Sequence, residues 1–230
     1  MSRKPRTVLP YPPDALLLNW EQRISPAISS GVHAYAHALR QHPAVRECVP
    51  GYASLLVRYA RPKITAYDLR EFIFALNPLT EETGGILHEI PVCYADDFAP
   101  DLPTVAAAIA LSPEEIIRLH TDVEYLVYQV GFRPGFAFLG QTDARLEIPR
   151  RTSPRRRVPA GTVGLAGRQT GIYPSESPGG WQLIGRCPWP LLRAGKDFCR
   201  FQAGDRVRFH SVSATEFAQL QKTSAPWPVR

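Results

Sequence analysis

The stretch RQTGIYPSESPGGWQLIGR, residues 168–186, holds six glycines and prolines in nineteen positions, with Tyr173 and Trp181 among them. It has no His, no Cys and a single acid, Glu176. So many backbone breakers exclude an ordinary helix, because Gly costs entropy there and Pro removes a hydrogen bond. The aromatic and aliphatic content is too high for a solvated linker. What remains is short strands joined by tight turns, anchored by two large rings. GFRPGFAFLG (131–140) has the same character upstream.

The same punctuation runs through the second half of the chain. From EYLVYQVGF (124–132) to VRFHSVS (207–213), short apolar pieces are broken by Gly or Pro every 6–12 residues. That spacing suggests a closed or sandwich-like β structure. Two short helices precede it, near 101–110 and 112–120, the second opened by Ser112-Pro113-Glu114-Glu115. A last helix is expected near 213–222, starting at Ser213.

The first half alternates differently. DALLLNW (14–20) reads as a strand, and Ser25 caps a helix with Pro26 first and Ile28, Val32, Tyr35 and Leu39 on one face. VRECV (45–49) and SLLVRYA (54–60) are strands around a Pro50-Gly51 turn. Thr65 and Asp68 have capping-box spacing and open a helix to about Leu76, after which ILHEIPVCY (86–94) is a further strand. Strand–helix–strand–strand–helix–strand is the order of a split βαβ, ferredoxin-like unit. NPLTEETGG (77–85) marks the expected boundary. The chain is therefore read as α+β, with a tail at 1–13, an α/β domain at 14–85, a β domain at 86–222 and a tail at 223–230.

Of the 230 residues, 44% are apolar and 21% charged, the balance of a globular protein. The net charge of +6 owes five units to Arg150, Arg151, Arg155, Arg156 and Arg157, so it marks one basic loop and not a nucleic-acid-binding face. That loop is either an anion or acidic-partner site or a solvated connection. No apolar run reaches the ~18 residues that span a bilayer. The opening MSRKPRTVLPYPPDALLL lacks a signal-peptide pattern, so a cytoplasmic protein without membrane partners is expected. Cys48, Cys93, Cys187 and Cys199 have no metal or Cys-x-x-Cys spacing and are expected as reduced thiols.

Several chemistries can be set aside. There is no G-x-x-x-x-G-K-[ST] loop, and the Gly161, Gly164 and Gly167 series lacks the βαβ setting of a dinucleotide site. Ser177 lies in S-E-S-P-G-G, which is not a nucleophile elbow. The histidines at 33, 37, 42, 88, 120 and 210 form no ligand pattern beyond His33 and His37, four apart, so no metal site is expected. The remaining candidate is a polar pocket in the β half, drawn from His120, Arg133, Arg151, Gln169, Thr170 and Tyr173. The alternative makes Phe132, Phe136, Phe138 and Trp181 plain core and Arg133 a surface charge.

GFRPGFAFLG, then PRR at 149–151, then VPAGTVGLAGRQTGIYPSESPGGWQLIGRCP at 158–188 closely resemble the KipI-type family. These proteins are also known as 5-oxoprolinase B subunits or allophanate hydrolase subunit 1. IPVCYADDFAPDL (90–102) and LSPEEIIRLHTDVEYLVYQVGF (111–132) match too, and the resemblance runs from about residue 14 to 215. It implies an N-terminal α/β domain followed by a cyclophilin-like β-barrel. It further implies ATP-dependent cleavage of 5-oxo-L-proline to glutamate, in company with an A subunit of the 5-oxoprolinase and a paralogous C subunit. Related domains belong to biotin-dependent urea carboxylase, and another member inhibits a sporulation histidine kinase. The alternatives are therefore a module that binds a histidine kinase, or part of an allophanate- or urea-related amidohydrolase or carboxyltransferase.

On this reading the isolated chain is inactive and ATP binds at a subunit interface. Arg133 and Arg151 hold an anion, since Arg forms bidentate carboxylate or phosphate pairs. Gln169, Thr170 and Tyr173 orient the small-molecule substrate beside Ser177, Gly179 and Trp181, and His120 moves a proton near neutral pH. The sequence departs from the family at Arg168, where Gly is usual, and at Cys187, where Thr is usual. The first strand is flanked by Pro13-Asp14 and Asn19-Trp20 instead of Gly-Asp and Phe-Gly. Arg168 is the position expected to alter which anion binds.

Overall fold

The computed structural model describes residues 4–78, 85–193, 195 and 198–223. The chain divides into two compact units, Met1–Thr83 and Gly84–Arg230.

The first unit contains β1 (Thr7–Tyr11), β2 (Ala15–Asn19), α1 (Pro26–Arg40), β3 (Val45–Pro50), β4 (Ser54–Tyr59) and α2 (Ala66–Ala75). Pro26 at the first helical position and the spacing of Ile28, Val32, Tyr35 and Leu39 set α1, and all four side chains are buried. At the start of α2 the Asp68 N–H donates to Thr65 Oγ1 at 3.1 Å. The strands form one antiparallel sheet in the order β1-β2-β4-β3. Alternate residues Leu16, Leu18, Leu55 and Val57 join the α1 residues in a single core.

Two expectations change here. Residues 7–11, expected within a tail, form an edge strand on β2. Pro10 sits in it without harm because an edge strand need not donate on its open side. The strand expected at 86–94 does not enter this sheet. It belongs to the second unit, and β1 occupies the place beside β2.

The second unit contains β5 (Leu87–Cys93), α3 (Leu102–Ile109), α4 (Pro113–Thr121), β6 (Glu124–Val130) and β7 (Ala137–Gly140). After a 3-10 turn at Ala144–Leu146 come β8 (Arg155–Val158), β9 (Thr162–Ala166), β10 (Gln169–Ile172) and β11 (Ser177–Gly179). β12 (Gln182–Arg186), β13 (Arg206–Val212) and α5 (Ala214–Lys222) complete it. Seven strands close a barrel in the order β10-β7-β6-β13-β5-β12-β9, with β9 pairing back onto β10. β8 and β11 form a separate two-stranded ribbon. β13 runs parallel to β5 and antiparallel to β6, so it joins the first two strands of the barrel.

The interior is apolar: Ile90, Val92, Val127, Leu139, Val163, Leu165, Ile184 and Phe209 are buried together, and α3 and α4 add Leu102, Val105, Ile116 and Leu119. Helix starts again follow the sequence. Ser112 Oγ accepts from Glu115 N–H at 3.2 Å. Ser213 and Glu216 form a reciprocal capping box. No helix among the described residues is long and apolar enough to cross a membrane.

Leu55 is fully buried in the first unit's core. Leu55→Ala should therefore lower stability by about 3 kcal/mol through lost transfer energy and the cavity left behind, measurable by urea denaturation.

Candidate functional site

Along β10 and its neighbours, side chains alternate between the barrel interior and its outer wall, as a period of two requires. Thr170 and Ile172 point in, and Gln169, Gly171 and Tyr173 point out. Ala137 and Leu139 on β7 join the interior core, whereas Phe136 and Phe138 belong to a second cluster with Val158, Ala166, Tyr173, Trp181 and Leu183. The candidates named from sequence are thereby sorted into two places.

Inside the barrel, His120 is fully buried at the end of α4. Its Nδ1 lies 2.8 Å from Tyr94 Oη and its Nε2 lies 2.8 Å from Thr170 Oγ1. A neutral imidazole satisfies this arrangement by donating one bond and accepting the other. The ring stacks on Phe209 at 4.6 Å, and Tyr125 Oη donates to the His120 carbonyl at 3.0 Å. Burial lowers the His120 pKa to about 3 and pushes the Tyr94 phenol well up. His120, expected to exchange a proton near neutral pH, is placed in the core with both ring nitrogens paired. Thr170 is likewise committed inward and does not face a ligand on the outer wall.

On the outer wall, Trp181 packs edge-on against Phe136 at 5.5 Å and Phe138 at 6.0 Å. The Tyr173 ring is buried beneath Gly179, where an added Cβ would collide with Tyr173 Oη. Burial raises the Tyr173 pKa, opposed by a hydrogen bond with the Trp181 backbone and by Arg150 and Arg155. Ser177 is buried and its Oγ donates to the Pro178 carbonyl at 3.2 Å. Tyr173, Ser177, Gly179 and Trp181 thus shape the surface more than they present groups to it. Ser177, expected beside the substrate, directs its hydroxyl to the neighbouring Pro178 carbonyl.

The polar groups that reach solvent are charged or amide side chains. Arg133 is exposed in the loop between β6 and β7, beside Phe132, which has φ of 66° and is 66% exposed. Among the described residues Arg133 has no ion-pair partner. Gln169 is half-buried. Arg151 donates its backbone N–H to the Gly180 carbonyl at 2.8 Å, and Arg150 lies over the Trp181 ring at 5.9 Å.

Sequence reasoning missed the residue that organises these arginines. Asp101, buried just before α3, accepts Leu183 N–H on Oδ2 at 2.7 Å and returns its own N–H to the Leu183 carbonyl at 3.0 Å. Its Oδ1 takes Arg155 Nη2 at 2.6 Å and lies 3.5 Å from Arg151 Nη1. Arg157 pairs with Glu176 through two 2.9 Å bonds. The sequence signal for Asp101 is no more than its place in the long family-like stretch 90–102.

Arg168 is occupied differently from expectation. Its Nη2 donates to the Thr142 carbonyl at 3.1 Å, and the Arg168 carbonyl accepts Thr142 N–H at 3.0 Å. Its guanidinium braces the turn after β7 and is not directed at the arginine group. The four cysteines are free thiols, and burial pushes Cys187 up to about 12, which leaves it un-ionised and unreactive. Among the described residues no group of three or more His, Cys, Asp or Glu gathers to hold a metal ion.

The family model described as the carboxyltransferase domain, subdomain C and D, matches residues 6–199, and the chain belongs to that family. Its resemblance to the KipI-type family is borne out by characterised relatives. The 5-oxoprolinase B subunit of Bacillus subtilis (strain 168) is 38% identical over 227 residues, covering 91% of this chain and 94% of that protein. The protein of the same name from Escherichia coli O157:H7 is 39% identical over 201 residues, covering 85% and 91%. Among solved structures, TTHA0988 superposes with a TM-score of 0.78 at 34% identity, over 93% of this chain. The match spans only 41% of that longer protein. The Kluyveromyces lactis urea amidolyase shares the fold at a TM-score of 0.75, 18% identity, 95% of this chain and 16% of that one.

The buried His120 gives a pH prediction. The unfolded chain takes up a proton near pH 6.5, whereas the folded chain resists protonation down to about pH 3. Stability from this group is therefore full above pH 6.5 and is lost as pH falls towards 3. Between pH 7 and pH 5 the loss should be about 2 kcal/mol, and it should vanish from the difference curve in His120→Gln, measured by urea titrations at both pH values.

Proposed function

We propose that this chain works as the B subunit of a 5-oxoprolinase, an assembly that opens the lactam of 5-oxo-L-proline to glutamate at the expense of ATP. The observation that carries this is the near full-length match to two proteins of that name, at 38% and 39% identity. The reading gives the chain two kinds of partner, the A subunit and the paralogous C subunit, and takes the barrel to be of the cyclophilin-like type.

The outer wall supports the assignment chemically. The substrate offers a carboxylate and a lactam amide. Arg133, exposed on the β6–β7 loop, supplies a guanidinium for a phosphorylated intermediate. Gln169 supplies an amide that can pair with the lactam. His120, buried and paired with Thr170, ties α4 to β10.

Gly161 and Gly164 do not form a phosphate cradle. A Cβ added to Gly161 would collide with the Cys187 carbonyl, and one on Gly164 would come 3.0 Å from Trp181 Cβ. These glycines serve close packing and do not turn free N–H groups to solvent. We therefore place ATP with the assembled subunits, at an interface, and route no step through residues of this chain alone.

The test is reconstitution. Co-purified with the A and C subunits, the chain should support 5-oxoproline-dependent ATP hydrolysis and glutamate release, and alone it should give neither. Arg133→Ala should reduce turnover at least tenfold with unchanged circular dichroism and complex formation. Wild-type turnover in that variant, or full activity without the partners, argues against the reading.

A further inference from the structure

Three arginines and one aspartate meet beside Trp181, and their charges do not balance. Asp101 is almost wholly buried, with its side chain 5% exposed, and both of its oxygens are in use. It neutralises one guanidinium, that of Arg155 at 2.6 Å, and stands at the long limit of 3.5 Å from Arg151. Arg150 has no acidic partner among the described residues and lies over the Trp181 ring. Three cations against one anion leave two positive charges uncompensated in a small area.

The group is also fixed in place. Arg155 pairs across the ribbon with Gly179, and the Arg151 N–H is bonded to the Gly180 carbonyl, so these two arginines are mounted against one pair of adjacent glycines. Arg150, next to Arg151 in the chain, lies over the Trp181 ring at 5.9 Å, and both it and Arg155 oppose the burial-driven rise of the Tyr173 pKa. Arg155 Nη1 is buried with no hydrogen-bond partner, although the side chain as a whole is 26% exposed. A charged donor left unmade in a buried position is costly, and a ligand meets this side chain at its exposed quarter. Arg151, 37% exposed, is open to solvent on the same side of Asp101.

We propose that Arg150, Arg151 and Arg155, organised by Asp101, form an oxyanion site on the outer wall of the barrel that takes the carboxylate of a small acid. Planar guanidinium forks match a planar carboxylate bidentately, and a buried aspartate that orients two of them removes much of the ordering cost of binding. Asp101 is a positioning residue here, since it acts through Arg155 and Arg151. The site deepens the reading of this chain as part of a 5-oxoprolinase and rests on it for the choice of acid.

The test is isothermal titration of the full chain at low salt with 5-oxo-L-proline, with its carboxamide, and with inorganic phosphate. The acid should bind saturably, the carboxamide should not, and affinity should fall as salt rises. Arg150→Gln and Arg151→Gln, both expected to fold, should each weaken the acid at least about tenfold, the loss of one charge-assisted pair. Asp101→Asn should weaken it too, and if that variant does not fold the two arginine variants still decide. Unchanged affinity in both arginine variants, absence of saturable binding, or tighter binding of phosphate than of the acid would each overturn the site. Cleavage by the assembled subunits despite lost binding defeats this inference alone. Retained binding with no cleavage by the assembly defeats the functional reading instead.

Discussion

Everything on the outer wall depends on Trp181 being able to pack close against the barrel. It can do so because β9 and β10 present glycine where any other residue would place a side chain. A Cβ on Gly164 would come 3.0 Å from Trp181 Cβ, and one on Gly171 would come 3.2 Å from Trp181 Cζ3 and 3.1 Å from Phe136 Cζ. The indole in turn braces Phe136 and Phe138 and underlies Arg150. Two absent side chains thereby determine where the aromatic cluster sits, and the cluster determines where the arginines stand.

The barrel wall also separates two kinds of chemistry. Inward, a polar chain of Tyr94, His120 and Thr170 is closed on itself and held neutral by burial. Buried polar groups of this kind fix one packing arrangement when every member is paired. Outward, charge is left unbalanced and exposed. Structural polarity is thus kept dry and saturated, while the surface keeps its arginines available.

Much of this was legible in the sequence, and the exceptions have physical causes. Helix starts were readable because capping is local: Thr65, Ser112 and Ser213 each bond the N–H three residues on. The β nature of the second half followed from the spacing of Gly and Pro. The partner of strand 87–93 was not readable, since an apolar run is compatible with either sheet and its ladder with β13 joins residues more than a hundred positions apart. β1 was hidden by its proline, Pro10, which an edge strand tolerates. His120 and Thr170 were grouped with Arg133 and Gln169 because composition does not say which wall a residue faces. Closure of the barrel turns Thr170 inward and its neighbour Gln169 outward. Asp101 escaped notice because a lone carboxylate carries no pattern until the fold brings Arg151 and Arg155 to it.

The position of β13 has a consequence for how the molecule is made. It is the last strand in the barrel's chain order, and it sits between β5 and β6, the first two. Until Arg206–Val212 leaves the ribosome, β5 has only a single register pair, Arg186 with Cys93, and the barrel stays open. The first unit's sheet, by contrast, is complete once Tyr59 has emerged. Synthesis therefore delivers every strand of the first unit's sheet early, and the barrel's most sequence-distant pairing only once its last strand is made.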